Sequence, residues 1–427
     1  MRTDQHSAPA PHAPVLRVPA PWASDPSLGE QLAAQWVATH RPGREVARAR
    51  THSTLYRGPD DLSTRVGVRL DADAVADELT LLVRDHAGEV SVAEFPDDPF
   101  LPTLADVLRR DVAEPIVRSI LPGNPWDAAL PDYRALVVHH PREGACVLRL
   151  QLGGAEAYAK VYPRAENATA AADVLYAVGS AEVVAPGGDV VRLPRLLGVS
   201  ATLRATFLES LTSHGPRSDG STNPSPVGPV EAARALRAFH EHTPSGRLPL
   251  VPASVHVARV QREQQLVVTA WPDVAERVDE PIRTCASVLD AFAPPEAQQP
   301  VLCHGDFTPG QLVRMPKGLG LLDLDTVSLG DPASDIGRYL AYEEMRGGPS
   351  EYSSSRAAAT RAAFVDAYGP APGGVEDSVG FAARVWAHRR LNLALIALRA
   401  ARRFKGARSA LALTLLDTRD PIPGRLP

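Results

Sequence analysis

The sequence predicts an α+β chain in which a β-rich segment precedes a helical one. Three apolar segments with polar residues interspersed, at 134–139, 145–152 and 157–162, are typical of consecutive strands. A segment dense in Ser, Gly, Pro and Asn follows at 213–229, and such a composition is typical of a linker. Beyond it, apolar residues recur at helical spacing through most of the remaining chain. These observations divide the chain into a β-rich unit and a helical unit, with a further α+β segment in front.

Composition and charge exclude several classes of protein. The 427 residues, 44% hydrophobic and 22% charged, suffice for two or three ordinary globular domains. The net charge of −5 gives no global field that would favour nucleic acid or an anionic membrane. No run approaches the ~18 apolar residues of a membrane span, and the first residues lack the apolar core of a secretion signal. Three scattered cysteines fit a reducing compartment and argue against a disulfide framework or a zinc site. We therefore expect a cytoplasmic protein with no nucleic-acid partner and no membrane partner.

The front of the chain is expected to form a small α+β cap. Residues 1–22 are rich in proline and are expected to be disordered. A helix follows, because Leu32 and Trp36 lie four residues apart on one face. The expected elements are a helix at 28–40, strands at 45–56 and 65–70, and shorter elements at 75–83 and 103–110. The segment 23–128 carries no recognisable chemical motif, so we interpret it as a cap packed against the rest of the chain.

The β-rich unit, 129–210, is expected to contain five strands and one helix. The helix is predicted at 167–178, after the third strand, and two further strands are predicted at 190–193 and 205–207. The helical unit is expected to span 211–427. Its predicted helices are 231–242, 255–268, 274–292, 334–345, 356–368 and 379–404.

Two acidic clusters lie inside the helical unit, each beside an apolar segment. In chain order the set reads His304-Gly305-Asp306, Gln311, Leu322-Asp323, Asp325, Gly330-Asp331-Pro332 and Asp335. The apolar segments are typical of short strands, which would bring Asp306 and Asp323 close together. A carboxylate that accepts a proton beside one that holds a metal is a common arrangement in phosphoryl transfer. Asp331 and Asp335 are interpreted as structural, because an Asp before a helix satisfies its free N–H groups.

This ordered set resembles the pattern of the aminoglycoside phosphotransferase and choline-kinase-like superfamily of small-molecule kinases. The family's pattern is His-x-Asp, then Asn five residues after the Asp, then an Ile/Leu-Asp pair, then Gly-Asp-Pro-x-x-Asp. The resemblance covers residues 133–415 and implies a protein-kinase-like bilobal fold, with a β-rich small lobe and a helical large lobe behind an α+β cap. It also implies an ATP-dependent phosphotransferase that uses Mg²⁺ and modifies a hydroxyl of a small molecule.

The resemblance implies a role for each matching residue of the large lobe. Asp306 would take the proton of the acceptor hydroxyl, and His304 would either join that acid–base work or brace the loop. Asp323 resembles the family's magnesium-binding Asp, and Asp325 is either a second ligand or a solvated residue. Gln311 departs from the usual Asn but retains an amide oxygen that can ligate magnesium, and maltokinase-like members also carry Gln there.

In the small lobe, the resemblance assigns nucleotide contacts to one lysine, one helix carboxylate and a hinge. Lys160 matches the strand lysine that pairs with the α- and β-phosphates. Asp173 is the mid-helix candidate for the carboxylate that holds this lysine, and two glutamates near the helix ends remain alternatives. These are Glu166 and Glu182. Phe207 and Glu209 lie where the family's hinge binds adenine through backbone groups.

The acceptor and the catalytic competence remain open at this stage. A sugar is favoured by the long front segment, which resembles the cap of maltokinases, whereas Gly330-Asp331-Pro332 follows the aminoglycoside-kinase pattern. A natural-product intermediate and a Ser or Thr hydroxyl of a peptide are further acceptor classes. The alternative from another class is a catalytically weak or inactive binding protein with a kinase fold. It is motivated by Gln311, by the undetermined helix carboxylate and by a phosphate-covering turn at 140–144 that contains a single Gly.

Overall fold

The computed structural model describes residues 27–58, 60–70, 78–120, 133–141, 143–152, 155–179, 182–184, 188, 190–211, 227–294, 299–315, 317–346, 354–372, 378–418 and 421–423. Sheets and helices are both prominent in these ranges, which confirms the predicted α+β class. The expected disorder at 1–22 and most of the linker at 213–229 lie outside the described residues. No helix within the described ranges combines the length and the apolar character that crossing a lipid bilayer requires.

The first unit is a four-stranded antiparallel sheet covered by one helix. Its elements, in chain order and in sheet order, are α1 (Leu28–His40), β1 (Val46–Gly58), β2 (Asp61–Leu70), β3 (Glu78–His86) and β4 (Glu89–Glu94). Ala33 and Val37 of α1 pack with Val66, Leu81 and Val83, because alternate residues of a strand face the same side of its sheet. The predicted helix and first strand pair are confirmed, whereas β4 was not predicted although its valines alternate with polar residues.

The next elements build the small lobe. They are α2 (Leu104–Leu108), α3 (Arg110–Ile120), β5 (Tyr133–His139), β6 (Cys146–Leu152), β7 (Ala155–Val161), α4 (Ala165–Val178), β8 (Glu182–Val184), β9 (Val190–Arg192), β10 (Leu196–Ser200) and β11 (Ala205–Glu209). Five of the strands form one sheet in the order β10-β11-β7-β6-β5. Leu104 of α2 and Val117 of α3 pack with Leu148 and Phe207 of this sheet. The predicted cap boundary at 128 therefore does not coincide with the packing, since α2 and α3 share the core of the small lobe.

The large lobe is mainly helical. Its elements are α5 (Pro229–Glu241), β12 (Leu250–Val251), α6 (Ala253–Val267), α7 (Pro272–Ala291), β13 (Val301–Cys303), β14 (Leu312–Arg314), β15 (Leu319–Leu321), β16 (Ser328–Gly330), α8 (Ala333–Glu344), α9 (Ser354–Tyr368), α10 (Ser378–Arg402) and α11 (Gly406–Asp417). The six predicted helices are confirmed to within a few residues. The helix α11 was not predicted; it follows α10 after a short turn in which Phe404 adopts a left-handed φ of 56°, which periodicity does not reveal.

One predicted strand joins a different sheet from the one expected. The strand predicted at 190–193 is β9, which pairs in parallel with β15 of the large lobe, in a sheet ordered β14-β15-β9-β8. The fourth strand of the small-lobe sheet is instead β10, which was not predicted, and it pairs with β11, which covers the strand predicted at 205–207. This is a correction to the sequence prediction, because sequence periodicity identifies a strand but not the partner with which it pairs.

The front sheet also contacts the large lobe. Tyr56 and Leu62 bury their side chains in the same core as Trp271 and Leu391. The Arg402 Nε–H at the end of α10 donates to the Tyr56 carbonyl oxygen at 2.9 Å. The front unit is therefore packed on the end of the lobe that carries the acidic motifs.

Candidate active site

Asp306 lies in the loop after β13, and the side chain of His304 supports that loop. The imidazole is fully buried; its Nε2–H donates to the Leu322 carbonyl oxygen at 2.9 Å, and its Nδ1 accepts the Asp306 backbone N–H at 3.2 Å. Burial lowers the pKa of His304, so the ring is neutral at pH 7. Gly305 has a φ of +77°, and a Cβ there would lie 2.5 Å from the Thr326 carbonyl oxygen. Both ring nitrogens of His304 form hydrogen bonds with backbone groups, so this side chain stabilises the conformation of the loop.

A buried carboxylate on the first turn of α8, Asp335, holds the same loop. It accepts the backbone N–H groups of His304 at 2.6 Å and Gly305 at 2.9 Å, and the Nε2–H of His240 at 3.1 Å. Burial alone would raise the pKa of Asp335, but these hydrogen bonds outweigh burial and lower it. The side chains of His240, Cys303 and Asp335 place ligand-type atoms within 4.8 Å of one another. Because the Asp335 oxygens already accept these hydrogen bonds, the cluster fits a brace better than a metal centre.

The small lobe and the second acidic motif meet through one lysine. Lys160 Nζ, at the end of β7, lies 2.5 Å from Asp323 Oδ1 and 2.9 Å from Asp325 Oδ1. The Tyr162 hydroxyl donates to Asp325 Oδ2 at 2.8 Å. The Gln311 Nε2 amide donates to Asp323 Oδ2 at 3.2 Å. The structure thus brings together four residues that the sequence singled out, and it adds Tyr162, which the sequence interpretation missed.

Charge complementarity holds Lys160 and Asp323 in their ionised forms. Burial alone would lower the pKa of Lys160, but the carboxylates of Asp325 and Asp323 outweigh it and raise the pKa. Burial would likewise raise the pKa of Asp323, but Lys160 outweighs it and the pKa is lowered. Asp323 has a left-handed φ of 64°, at the start of the 3-10 turn Leu324–Thr326 that carries Asp325. The tight turn aims both carboxylates at one lysine.

The donor set of this cluster fits a hard divalent cation. Magnesium prefers oxygen ligands and is commonly held by one or two carboxylates together with substrate phosphates. Asp323 and Asp325 supply such oxygens around Lys160 Nζ, and Gln311, whose amide N–H meets Asp323, carries an amide oxygen on the same side chain. Gln311 reaches Asp323 because β14 and β15 form a hairpin in which Leu312 pairs with Leu321, and this pairing sets the two residues side by side.

The Asp306 carboxylate contacts an arginine that sequence interpretation missed. The Arg338 Nη2–H, from α8, donates to Asp306 Oδ1, and its Nη1–H donates to Asn392 Oδ1 at 3.0 Å. Only 6% of the Arg338 side chain is exposed, whereas 27% of the Asp306 side chain is exposed. Asp306 is therefore held by a buried cation and still offers an open edge. The spacing of Arg338, three residues after Asp335 on one helix, was a signal available in the sequence.

The three other predicted nucleotide contacts form no hydrogen bond or ion pair with Lys160 in the described part of the chain. Asp173 is exposed on α4, and no hydrogen bond or ion pair between it and Lys160 occurs in the described structure. Phe207 is fully buried, and its strand pairs with β10 on one side and β7 on the other. Glu209 ends β11 and forms ion pairs with Arg192 at 2.9 Å and with a second arginine at 3.1 Å. Of these three, Glu209 alone is the last residue of its strand, and its backbone N–H donates to the Arg195 carbonyl oxygen at 2.9 Å.

The face of α4 that packs inward carries alanines. Ala168, Ala171 and Ala172 are buried, while the acidic residues Glu166 and Asp173 of this helix are exposed. Lys160 therefore finds its carboxylate partners in the large lobe and not on α4. The sequence held one indication of this arrangement. Tyr162 lies two residues after Lys160, and alternate residues near the end of a strand lie on the same side of the sheet.

Asp331 has a different environment from Asp306 and Asp323. Its Oδ1 accepts the Ala333 backbone N–H at 3.0 Å at the start of α8, and its Oδ2 accepts the Arg384 Nε–H at 2.6 Å. It also lines a largely apolar cavity of about 690 Å³ between α6, α7 and β16. None of Lys160, Asp306 or Asp323 lines that cavity, so it is separate from the acidic site.

Comparisons with known proteins agree with this geometry. The model of the phosphotransferase enzyme family matches residues 141–377, which is more than half of the chain and includes Lys160, Asp306 and Asp323. A search of curated proteins found none that matches.

Solved structures with a similar fold include small-molecule kinases. A choline/ethanolamine kinase family protein from Mesorhizobium loti is 14% identical, with a TM-score of 0.44 over 72% of this chain and 95% of that chain. A choline kinase from Cryptosporidium parvum is 10% identical, with a TM-score of 0.48 over 72% of this chain and 94% of that chain. An aminoglycoside phosphotransferase from Streptomyces rimosus, in complex with ADP and streptomycin, is 17% identical, with a TM-score of 0.39 over 61% of this chain and 91% of that chain.

Proposed function

We propose, since the chain belongs to the phosphotransferase enzyme family, that it transfers the γ-phosphoryl group of ATP to a hydroxyl group of a small molecule. The observation that carries this proposal is the cluster of Lys160, Asp323, Asp325 and Gln311, which joins the small lobe to the large lobe beside the loop of Asp306. Phosphoryl transfer needs a cation for the phosphates, a metal site and a carboxylate for the acceptor hydroxyl. This chain has side chains suited to all three.

Asp306 is the proposed general base. Its exposed edge would accept the proton of the acceptor hydroxyl as that oxygen forms a bond to the γ-phosphorus. The bond between the γ-phosphorus and the oxygen bridging to the β-phosphate breaks, and ADP leaves with that electron pair. Arg338 would keep Asp306 ionised and oriented, while His304 and Asp335 hold the backbone of its loop.

Lys160 is the proposed contact to the α- and β-phosphates, and Asp323 with Gln311 would hold Mg²⁺, with Asp325 as a further oxygen donor. When bound, Mg²⁺ would neutralise charge on the β- and γ-phosphate oxygens. Adenine would be met by backbone groups at the end of β11, from the Glu209 carbonyl oxygen onward, because the Phe207 backbone is paired within the sheet and the Glu209 N–H already donates to the Arg195 carbonyl oxygen. The use of ATP and the buried free cysteines support the cytoplasm as the proposed location.

A binding protein without turnover is the second candidate. The alanine face of α4 favours it, since Lys160 has no helix carboxylate to hold it in place once a ligand occupies Asp323 and Asp325. Thermal unfolding with ATP, in the presence and absence of Mg²⁺, separates the two functions. Stabilisation that requires Mg²⁺ supports the kinase, and stabilisation that is independent of Mg²⁺ supports the binding protein.

The direct experiment measures ADP release over sugars, aminoglycosides and hydroxyl-bearing peptides. Asp306→Asn should abolish an acceptor-dependent signal, because it removes the proton acceptor while preserving the shape of the side chain. The matched control is Asp366→Asn, at an exposed position of α9. If Asp306→Asn retained full acceptor-dependent activity, the assignment of the base would be wrong.

A further inference from the structure

The surroundings of Asp306 are basic, although the chain as a whole is acidic. Arg338 contacts Asp306 and also bonds Asn392 of α10. The guanidinium of Arg338 lies 5.1 Å from the ring centroid of Tyr342, and its Nε has no hydrogen-bond partner among the described residues. An acceptor hydroxyl that reaches Asp306 must therefore pass close to this guanidinium.

A second arginine faces the same region from α6. His256, three residues before Arg259, packs edge-on against His388 of α10 with ring centroids 5.1 Å apart. Glu263, four residues after Arg259, forms an ion pair with Arg399 of α10 at 3.1 Å. Residues at these spacings share one face of a helix. Arg259 is thus directed towards the part of α10 between residues 388 and 399. The same part of α10 carries Asn392, which accepts a hydrogen bond from Arg338.

The positive charges of this region exceed the carboxylates that could neutralise them. Asp306 meets Arg338, Glu263 is shared by Arg399 and Arg402, and Arg402 also pairs with Glu143 at 2.7 Å, so that four arginines, with Arg259, face three carboxylates. The side chain of Arg259, although only partly exposed, forms no hydrogen bond or ion pair with any residue in the described part of the chain.

The titration properties of two groups show the same excess of positive charge. Burial, together with the neighbouring Arg338 and Arg399, lowers the pKa of Arg259 to about 10. Burial alone would raise the pKa of the Tyr342 phenol, but Arg338 and Arg399 outweigh burial and lower it. The pKa of Tyr342 falls because of the positive charge beside it, whereas the pKa of Arg259 falls first because of burial and then because of the same two arginines.

We propose that the acceptor carries an anionic group, a carboxylate or a phosphate, in addition to the hydroxyl that is phosphorylated, and that Arg259 binds this group. The proposal rests on the kinase function proposed above. A partly buried arginine that stabilised only the fold would be expected to have a protein carboxylate as its partner, because an unpaired buried charge is destabilising. An anionic acceptor would supply that partner, whereas a cationic acceptor would be repelled.

The test is a series of acceptors that differ in charge on one scaffold. D-glucuronate, D-glucose and D-glucosamine carry a negative, a neutral and a positive group, and glucose 6-phosphate distinguishes phosphate from carboxylate. A second scaffold is D-glycerate against glycerol. ADP release and calorimetric binding are measured for the wild type, for Arg259→Gln and for the control Arg262→Gln. Arg262 lies on the same helix and is exposed, so its removal changes the net charge equally.

We expect an acidic member to exceed its neutral partner in kcat/KM and in affinity by about tenfold, as a charge-assisted contact provides. Arg259→Gln should remove this preference with the KM for ATP unchanged, and Arg262→Gln should retain it. Preference for neutral or amine members, or a preference for acids that survives in Arg259→Gln, would overturn the inference and leave the kinase function intact.

The two proposals fail in distinguishable ways. ADP release with none of the acceptors, in this series or in the wider screen, would contradict the kinase function. Binding of glucuronate, glycerate or glucose 6-phosphate that is lost in Arg259→Gln would then still support the anion site. Absence of such binding in the wild type would overturn it.

Discussion

His388 is expected to make the folded protein sensitive to acid. Its ring is 1% exposed, and neither ring nitrogen has a hydrogen-bond partner among the described residues. Burial, with a smaller contribution from the charge of Arg384, lowers the pKa of His388 to about 4. Protonating this ring therefore costs free energy in the folded protein that it does not cost in the unfolded chain.

The direction and size of the effect follow from linkage. Because the folded pKa of about 4 lies below the ordinary value of 6.5, the unfolded chain binds more protons, and stability falls as the pH falls through that window. Once the pH is below the folded pKa, the whole shift acts, and it lowers the free energy of unfolding by about 3 kcal/mol. About 2 kcal/mol of this is lost between pH 7 and pH 5, and almost none above pH 7.

Urea unfolding of the wild type and of His388→Leu at pH 7 and pH 5 measures this directly. Leucine fills the same space without a titrating group and removes two unpaired buried nitrogens, so the variant should be at least as stable as the wild type at pH 7. The wild type should lose about 2 kcal/mol more than the variant on acidification. His139→Leu, at an exposed position of β5, is the control and should behave like the wild type. Equal losses in the wild type and in His388→Leu would refute the reasoning.

Three further variants probe the proposed site. Tyr162→Phe removes the 2.8 Å hydrogen bond to Asp325; we expect an increase in the KM for ATP of about tenfold, and an unchanged ATP titration curve would contradict this role. Gln311→Leu should raise the Mg²⁺ concentration needed for half-maximal ADP release, whereas Gln311→Asn should leave that concentration close to the wild-type value. Equal Mg²⁺ titrations for the Leu variant and the wild type would exclude ligation by the amide. Gly305→Ala places a Cβ 2.5 Å from a backbone carbonyl at a φ of +77°, so unfolding experiments should show a loss of at least about 2 kcal/mol, while Gly406→Ala, with nothing within 4 Å, should show little change.

Most helices could be predicted from the sequence because each is encoded by neighbouring residues. The stripe of α5, with Ala232, Ala235, Leu236 and Phe239 buried, follows directly from spacing along the chain. The pairing partner of a strand, in contrast, cannot be predicted from neighbouring residues. The β9 strand has the composition of a strand, but its pairing with β15 depends on how the two lobes meet.

The same distinction applies to the site. The resemblance assigned Asp323 and Gln311 to one magnesium site, and the short hairpin of β14 and β15 does bring the two side chains into contact. The predicted partner of Lys160 was different, because Asp173 has the right position in the order of elements but lies on the exposed side of α4. Which side of α4 faces the sheet is set by the buried alanines, and not by where a carboxylate would be useful.

The amino-acid sequence alone specified most of the elements, the order of the motifs and the chemical class of their side chains, since these depend on local spacing and on residue identity. Which charges meet depends on the tertiary fold. The fold placed Lys160 against two carboxylates of the other lobe, Arg338 against Asp306, and the Arg259 side chain without an ion pair to a carboxylate of the described residues. The physical reason is that an ion pair between distant segments forms only where packing of the apolar core brings those segments together, and that packing involves residues with no part in the chemistry.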